Sequence, residues 1–261
     1  MITITIVRHG ESTDNLRPVW AGWADAPLSN HDRQQAKAVG ASFADIPIDA
    51  VFASPLKRAH WTGQQIQLQN KSDPPLTVSP LLREQGFGVA EGHFFAGDDV
   101  KYVRHPGRTF KFPEGENLGD VRNRANEAIR LFVEDALRES YGATPDSKHL
   151  VFVAHGIFNY EFLSAFLTRR PEGIDSHWAY KADIQTGWTR LHVGYAGEAT
   201  GQPLDYDNLP GLPPLTVEIL ATDVTTHLEG VERQGGGIGS SGFDEKQQEI
   251  RAFFSGAHAA E

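Results

Sequence analysis

Three short stretches of the chain carry residue types suited to one chemistry. Arg8-His9-Gly10 ends the opening run from Met1 to Val7, Ser54-Pro55 leads to Arg58, and His155-Gly156 ends the run from Lys148 to Ala154. An imidazole can serve as nucleophile, base or metal ligand. An arginine fork matches the oxygens of a phosphate or carboxylate. Taken alone, Arg8-His9-Gly10 is explained equally by a solvated strand end and by a site. Two histidines without nearby cations would suggest a metal; with Arg8 and Arg58 beside them an anion is the better partner, and no metal or other cofactor is expected. Glu84, in a loop with glycines at 86, 88 and 92, is placed to donate a proton.

These residues can meet only if the elements before them are neighbours. Met1 to Val7 is β-branched at most positions and reads as a strand. Asp49 to Ser54 and Lys148 to Ala154 read as buried strands. A helix is expected over Asn30 to Ala44, capped by Ser29, with Asp32 completing a weak capping box. Another should start at Pro55, capped by Ser54, and reach about Leu68. Val121, Ala125, Ala128, Ile129, Val133 and Ala136 predict one long helix over Glu116 to Tyr141, and Ile157 to Leu167 a further helix. Leu76 to Ser79, Thr189 to Val193 and Leu215 to Leu220 read as strands, the last an edge strand. Strands alternating with helices imply an α/β fold. If the first, second and fourth of those strands are parallel neighbours, their carboxyl ends share one crevice, with anion-binding helix starts beside it.

Residues 86–117 are irregular, with a short helix expected near 98–104, and read as an excursion over the sheet edge. Arg104, His105, Arg108 and Lys111 lie there; the ordinary reading is a solvated face, yet substrate choice should reside in this stretch. Residues 195–261 read as a C-terminal extension of the single domain spanning 1–261. They include a glycine-rich run at 235–242, taken as a flexible connection, and a helix from Asp244 to Phe254.

Composition bounds the partners. The 261 residues carry 24 Lys+Arg against 34 Asp+Glu, a net charge of -10, which disfavours a general nucleic-acid surface. A local arginine cluster can still bind a small anion. There is no cysteine, which excludes disulfides, thiolate metal sites and thiol nucleophiles. No apolar stretch is long enough to span a membrane and no secretory pattern precedes the first strand, so no membrane partner and a cytoplasmic location are expected. The sequence is silent on oligomeric state.

Val7-Arg8-His9-Gly10-Glu11-Ser12 with Asn15 resembles the signature of the histidine phosphatase superfamily, in its phosphoglycerate-mutase-like branch. The resemblance continues in order through Ala21-Gly22-Trp23 to Ser29, Ala53-Ser54-Pro55-Leu56-Lys57-Arg58-Ala59, Leu82-Arg83-Glu84-Gln85-Gly86-Phe87-Gly88, Pro113 to Glu116, and Val153-Ala154-His155-Gly156. It covers roughly residues 1–193. It implies a three-layer α/β/α sandwich with a largely parallel central sheet. It also implies a metal-independent phosphatase acting on a small phosphorylated metabolite. By the resemblance, His9 would be the nucleophile that forms a phosphohistidine, Arg8 and Arg58 would hold the phosphoryl group, and His155 would complete the pocket. Glu84 would be the proton donor and then the base, while Asn15, Gly22 and the Gly156 amide would belong to the substrate site.

Two other readings stand beside this one. A phosphoglycerate mutase needs paired basic residues for a second anion and a long cover; the chain offers Arg104 and Arg108, separated, in a short excursion. A non-catalytic phospho-ligand binder would have no need of both a nucleophile and an acid. Bland alternatives also exist residue by residue: Glu84 as a partner of Arg83, Asn15 as a turn former, Trp20 and Trp23 as packing.

Overall fold

The computed structural model describes residues 1–142, 147–174, 185–197 and 212–242. Its elements run β1 (Ile2–Arg8), α1 (Asn30–Ser42), β2 (Ala50–Ala53), α2 (Lys57–Gln69), β3 (Leu76–Val78), α3 (Leu118–Phe132), α4 (Glu134–Glu139), β4 (His149–Ala154), α5 (Gly156–Leu167), β5 (Trp188–Tyr195) and β6 (Leu215–Val224). One six-stranded sheet has the order β3-β2-β4-β1-β5-β6. β1, β2, β3 and β4 are mutually parallel; β5 and β6 are antiparallel additions on one side.

The two-residue alternation of each central strand builds the layers. Ile2, Ile4 and Ile6 of β1, with Leu150, Phe152 and Ala154 of β4, join the core under α3, α4 and α5. Val7, Val151 and Val153 face the other way, into the core with Val39 and Phe43 beside α1 and Ala59 and Ile66 of α2. The chain is therefore a three-layer α/β/α sandwich around a largely parallel sheet. β2, β4 and β1 are adjacent and parallel, so the residues that follow them emerge at one sheet edge, as open α/β folds require of a site.

Several expectations need correction. The long helix over 116–141 is two helices, broken at Val133, where φ is -114°. The break turns Glu134 inward, where it accepts from Tyr195 Oη (2.7 Å) and pairs with Arg169. α2 begins at Lys57 rather than Pro55; Ser54 Oγ instead accepts from the Leu56 amide (3.4 Å) in the preceding turn. No helix forms near 98–104. Tyr102 there joins an aromatic cluster, and its carbonyl accepts from Trp20 Nε1 (3.3 Å). Ser29 does cap α1, accepting from the Asp32 amide (3.0 Å). The Asp32 carboxyl does not close a capping box: its two oxygens have no hydrogen-bond partner among the described residues. The glycine run at 235–242 is a compact turn docked on the start of α1 rather than a loose connection. The carbonyls of Gly239 and Ser241 accept from the His31 and Asn30 amides, each at 3.0 Å. The helix expected from Asp244 to Phe254 falls outside the described residues.

Candidate active site

His9 stands one residue past β1, with its amide bonded to the Ala154 carbonyl (3.0 Å). His155 stands one residue past β4. Register Arg8↔Ala154 across the parallel pair puts the two imidazoles side by side, their ring centroids 4.9 Å apart. Both rings are buried. His9 Nδ1 lies within a short hydrogen bond of the Gly10 carbonyl. A carbonyl only accepts, so Nδ1 carries the proton and Nε2 keeps its lone pair. Burial, then Arg58, then Arg8 hold the His9 imidazole well below its ordinary titration range, against a smaller opposing effect of the Gly10 carbonyl. The ring is thus neutral at physiological pH, with a free lone pair on the nitrogen away from Gly10. His155 is held down by burial first and then by Arg58, His9, Arg8 and Arg124. Its Nε2 meets Ser54 Oγ (2.8 Å), so the end of β2 orients the ring that follows β4.

Arg58 sits on the first turn of α2 and is only 2% exposed. Its Nη1 and Nη2 donate to the carbonyls of Ala24 (3.2 Å) and Gly22 (2.9 Å), which hold the fork while leaving other N–H donors for an anion. Gly22 can present that carbonyl because its φ is 49°, and a Cβ there would lie 2.3 Å from Glu91 Oε1. Thr62, one turn on, links Arg58 to the strand end that carries His9: its Oγ1 donates to the Arg58 carbonyl (2.8 Å) and accepts from the Gly10 amide (3.3 Å). Arg8, the last residue of β1, lies close enough to depress both histidines.

Glu84 is not paired with Arg83, whose guanidinium stacks 3.8 Å from the Trp23 ring centroid. The Glu84 carboxylate lies at the N-terminus of α5, where it accepts from the amides of Ile157 (3.2 Å), Phe158 (3.1 Å) and Gln85 (2.9 Å). Gly156 opens the same helix. The three amides thus use three of the roughly four acceptor positions of the carboxylate. Asn15 is exposed, and its side-chain oxygen accepts from the Ser12 amide (2.9 Å) and hydroxyl (3.0 Å), a turn-closing role. Arg104 is exposed and forms no ion pair among the described residues. Arg108 is committed to buried Glu161 (2.8 Å), which Arg122 also contacts (2.9 Å). The structure thus brings together Arg8, His9, Arg58, Glu84, His155, Gly22 and Gly156, and ties Arg108 into a separate ion cluster.

Sequence reasoning missed several residues that hold this group. Arg124 of α3 donates to the carbonyls of Leu81 (2.7 Å), Arg83 (2.8 Å) and Glu84 (3.1 Å) and forms two bonds to Glu116 (2.8 and 2.7 Å). The Glu116 carboxylate also accepts from the Gly86 amide (3.0 Å). Arg124 thus fixes the loop that carries Glu84. A signal was present: Val121, Arg124, Ala125 and Ala128 share one helix stripe, so a lone cation interrupts an apolar face. Trp23 Nε1 gives the Glu84 carbonyl a further bond (2.7 Å).

A parallel-sheet crevice with two neutral histidines, two arginines and a carboxylate at a helix start is built for a phosphate ester. The chain matches the histidine phosphatase superfamily (branch 1) over residues 4–196 and belongs to that family. Among curated relatives, a Schizosaccharomyces pombe protein named a probable phosphatase is 29% identical over 258 residues, 97% of this chain and 80% of that protein. A Danio rerio fructose-2,6-bisphosphatase (TIGAR B) is 36% identical over 143 residues, 52% of this chain and 55% of that one. A 2,3-bisphosphoglycerate-dependent phosphoglycerate mutase of Gloeobacter violaceus is 30% identical over 163 residues, 60% and 71% of the two chains. The fold is shared with a mycobacterial glucosyl-3-phosphoglycerate phosphatase (TM-score 0.65, 20% identity, 86% of this chain and 99% of that one). It is also shared with Bacillus stearothermophilus YhfR (TM-score 0.61, 21% identity, 89% and 100%).

Proposed function

We propose that the protein is a metal-independent phosphomonoesterase that works through a phosphohistidine on His9, with a small phosphate ester as substrate. The observation that carries this reading is the neutral His9 imidazole, its tautomer set by Gly10, beside His155 and the partly committed Arg58 fork. Arg8, Arg58, His155 and the Gly156 amide bind the phosphoryl oxygens. Fixed cations in a dry site supply most of the stabilisation that phosphoryl transfer needs. The His9 Nε2 lone pair forms a bond to phosphorus as the ester P–O bond breaks, and Glu84 gives its proton to the leaving oxygen. Water then attacks phosphorus, its proton passes to Glu84, and the P–N bond breaks to return neutral His9.

Two observations bear on the leaving group. Ile157, whose amide binds Glu84, packs against a cluster of Phe87, Ala90 and Phe112 joined by Trp20, Tyr102 and Phe110. Trp20 lies two residues from the carbonyl that holds Arg58. The wall beside Glu84 is therefore aromatic, while Arg108 is spent on Glu161. This favours an ester with an apolar or aromatic leaving group over a second anion. The similarity to phosphoglycerate mutases keeps mutase activity as the second reading.

The test is turnover in the presence of a chelator, with an aryl phosphate and 3-phosphoglycerate compared. Acid-labile, base-stable labelling of His9 should accompany faster release of phosphate from the aryl ester, and His9→Ala should abolish both. Activity that vanishes with the chelator and returns with a metal ion would sink the mechanism. Interconversion of 2- and 3-phosphoglycerate at a rate above hydrolysis would favour the mutase.

A further inference from the structure

The C-terminal segment after β6 reaches back to the nucleophile, and none of the roles assigned above uses it. Arg233 meets Glu11 through two bonds, Nη1 to Oε1 (2.9 Å) and Nη2 to Oε2 (2.5 Å). Glu11 is buried, and its Oε1 also accepts from Ser29 Oγ (2.9 Å). Arg233 itself is braced by Ser240 Oγ (3.1 Å) and by Gly239, where a Cβ would stand 2.6 Å from Arg233 Cγ. At the same strand end, the Thr186 amide donates to the His9 carbonyl (3.2 Å), and Thr186 Oγ1 meets His227 Nε2 (3.0 Å). The segment from 226 to 242 therefore reaches residues 9–11 twice, directly through Arg233 and by way of Thr186 through His227.

The link to chemistry is one peptide plane. The Gly10 carbonyl that sets the His9 tautomer and the Glu11 amide belong to the same rigid peptide. That amide donates to Gln35 Oε1 (3.1 Å), and the Glu11 carbonyl accepts from the Ser29 amide (3.2 Å). Rotating the plane breaks the His9 Nδ1 bond and the Gln35 bond together. The Glu11 side chain is the lever on that plane, and Arg233 supplies its charge-matched anchor. Without Arg233, Glu11 is a buried anion next to Asp32, whose own oxygens have no partner among the described residues. Such an anion escapes burial by moving outward, and the plane moves with it.

We propose that Arg233 is a positioning residue: through Glu11 it holds the Gly10–Glu11 peptide in the orientation that presents His9 Nε2 to phosphorus. The proposal rests on the phosphohistidine reading for its kinetic consequence only. The test compares Arg233→Met, which keeps the stem and removes the charge, with wild type, with Glu11→Gln and with the double variant Glu11→Gln/Arg233→Met. On an aryl phosphate, R233M should lose about 10- to 100-fold in kcat with KM changed less than about 3-fold, the size expected of a small misplacement of a reacting group. The double variant should recover to within about 3-fold of Glu11→Gln alone, since no unpaired anion remains. Nitrogen-15 spectra of labelled histidine should show a single Nδ1–H tautomer for His9 in wild type and a mixture in R233M. A pure Nδ1–H signal in R233M, or no recovery in a folded double variant, would overturn the proposal. The tautomer is read without substrate, so a wild-type protein inactive on every ester would defeat the phosphatase reading while leaving Arg233 still on trial.

Discussion

Asp32 offers the sharpest quantitative test of the packing around His9. It sits on the first turn of α1, fully buried, so close to Gly10 that a Cβ on that glycine would lie 1.4 Å from Asp32 Oδ1. Burial first, and then the Glu11 charge, push its carboxyl well above the usual carboxylate range, against a smaller pull from Arg58. Asp32→Ala removes two buried oxygens without partners, worth about 1–3 kcal/mol. It also gains roughly half a kcal/mol of helix propensity. The vacated space costs on the order of 1 kcal/mol. These terms nearly cancel or leave a modest gain, and ionisation decides the outcome. Above pH 3.8 the unfolded chain releases the Asp32 proton while the folded protein keeps it. Wild-type stability therefore falls by about 1.4 kcal/mol per pH unit until the folded carboxyl also ionises.

The variant escapes that loss, so its advantage should grow from pH 4 upward until the folded Asp32 carboxyl ionises. At roughly 2–4 °C per kcal/mol for a chain of about this size, each pH unit in that window should widen the Tm difference by about 3–5 °C. Thermal melts of wild type, Asp32→Ala and Asp32→Asn from pH 4 to 8 would measure this. The asparagine keeps the shape and the hydrogen-bonding demand but cannot ionise, so it should remove the pH slope and retain the constant cost. A variant less stable than wild type by the same amount at every pH would mean that Asp32 is paired and charged, and the reasoning would be wrong.

Other outcomes follow from the same contacts. Arg124→Met removes the bonds that hold the Leu81–Glu84 loop and should lower kcat by about 10-fold or more. The loss should be steepest for esters with poor leaving groups, as for Glu84→Gln, and steady-state kinetics across substituted aryl phosphates would show it; equal losses on all esters would separate the loop from acid catalysis. His9 and His155 are held well below 6.5, and His227 is lowered to about 4 by burial. The unfolded chain takes up these protons near pH 6.5 and the folded one only further down, so this contribution is level above about pH 7.5 and stability falls as pH drops through 6.5. Melts of the Asp32→Asn variant from pH 8 to 5, which lack the opposing Asp32 slope, should show the decline, and adding His227→Asn should lessen it; an unchanged Tm across that range would contradict the buried neutral imidazoles.

What could be read from the sequence, and what could not, follows the range of the interactions. The strands that carry Arg8-His9, Ser54 and His155 announce themselves by local β-branched or apolar runs, and the parallel crossover rule places their ends together. The group at the sheet edge was therefore legible once those runs were recognised. The breaks and clamps were not, because each depends on a partner far along the chain. Glu134, at the break in the helix predicted over 116–141, meets Arg169 and Tyr195, both far along the chain. Nothing local to Arg108 shows that Glu161 will claim it. Arg233 lies 222 residues from Glu11, and its neighbours are glycines that read as slack until the α1 amides they cap are known. The pattern has a physical cause: side-chain periodicity records which face is buried, whereas a buried charge records nothing about which opposite charge will meet it. The residues proposed to do the chemistry thus sat in local motifs, and those that hold them still were hidden in long-range pairs. Arg124 is the intermediate case, since a cation on the stripe of Val121, Ala125 and Ala128 signals a buried partner without naming it.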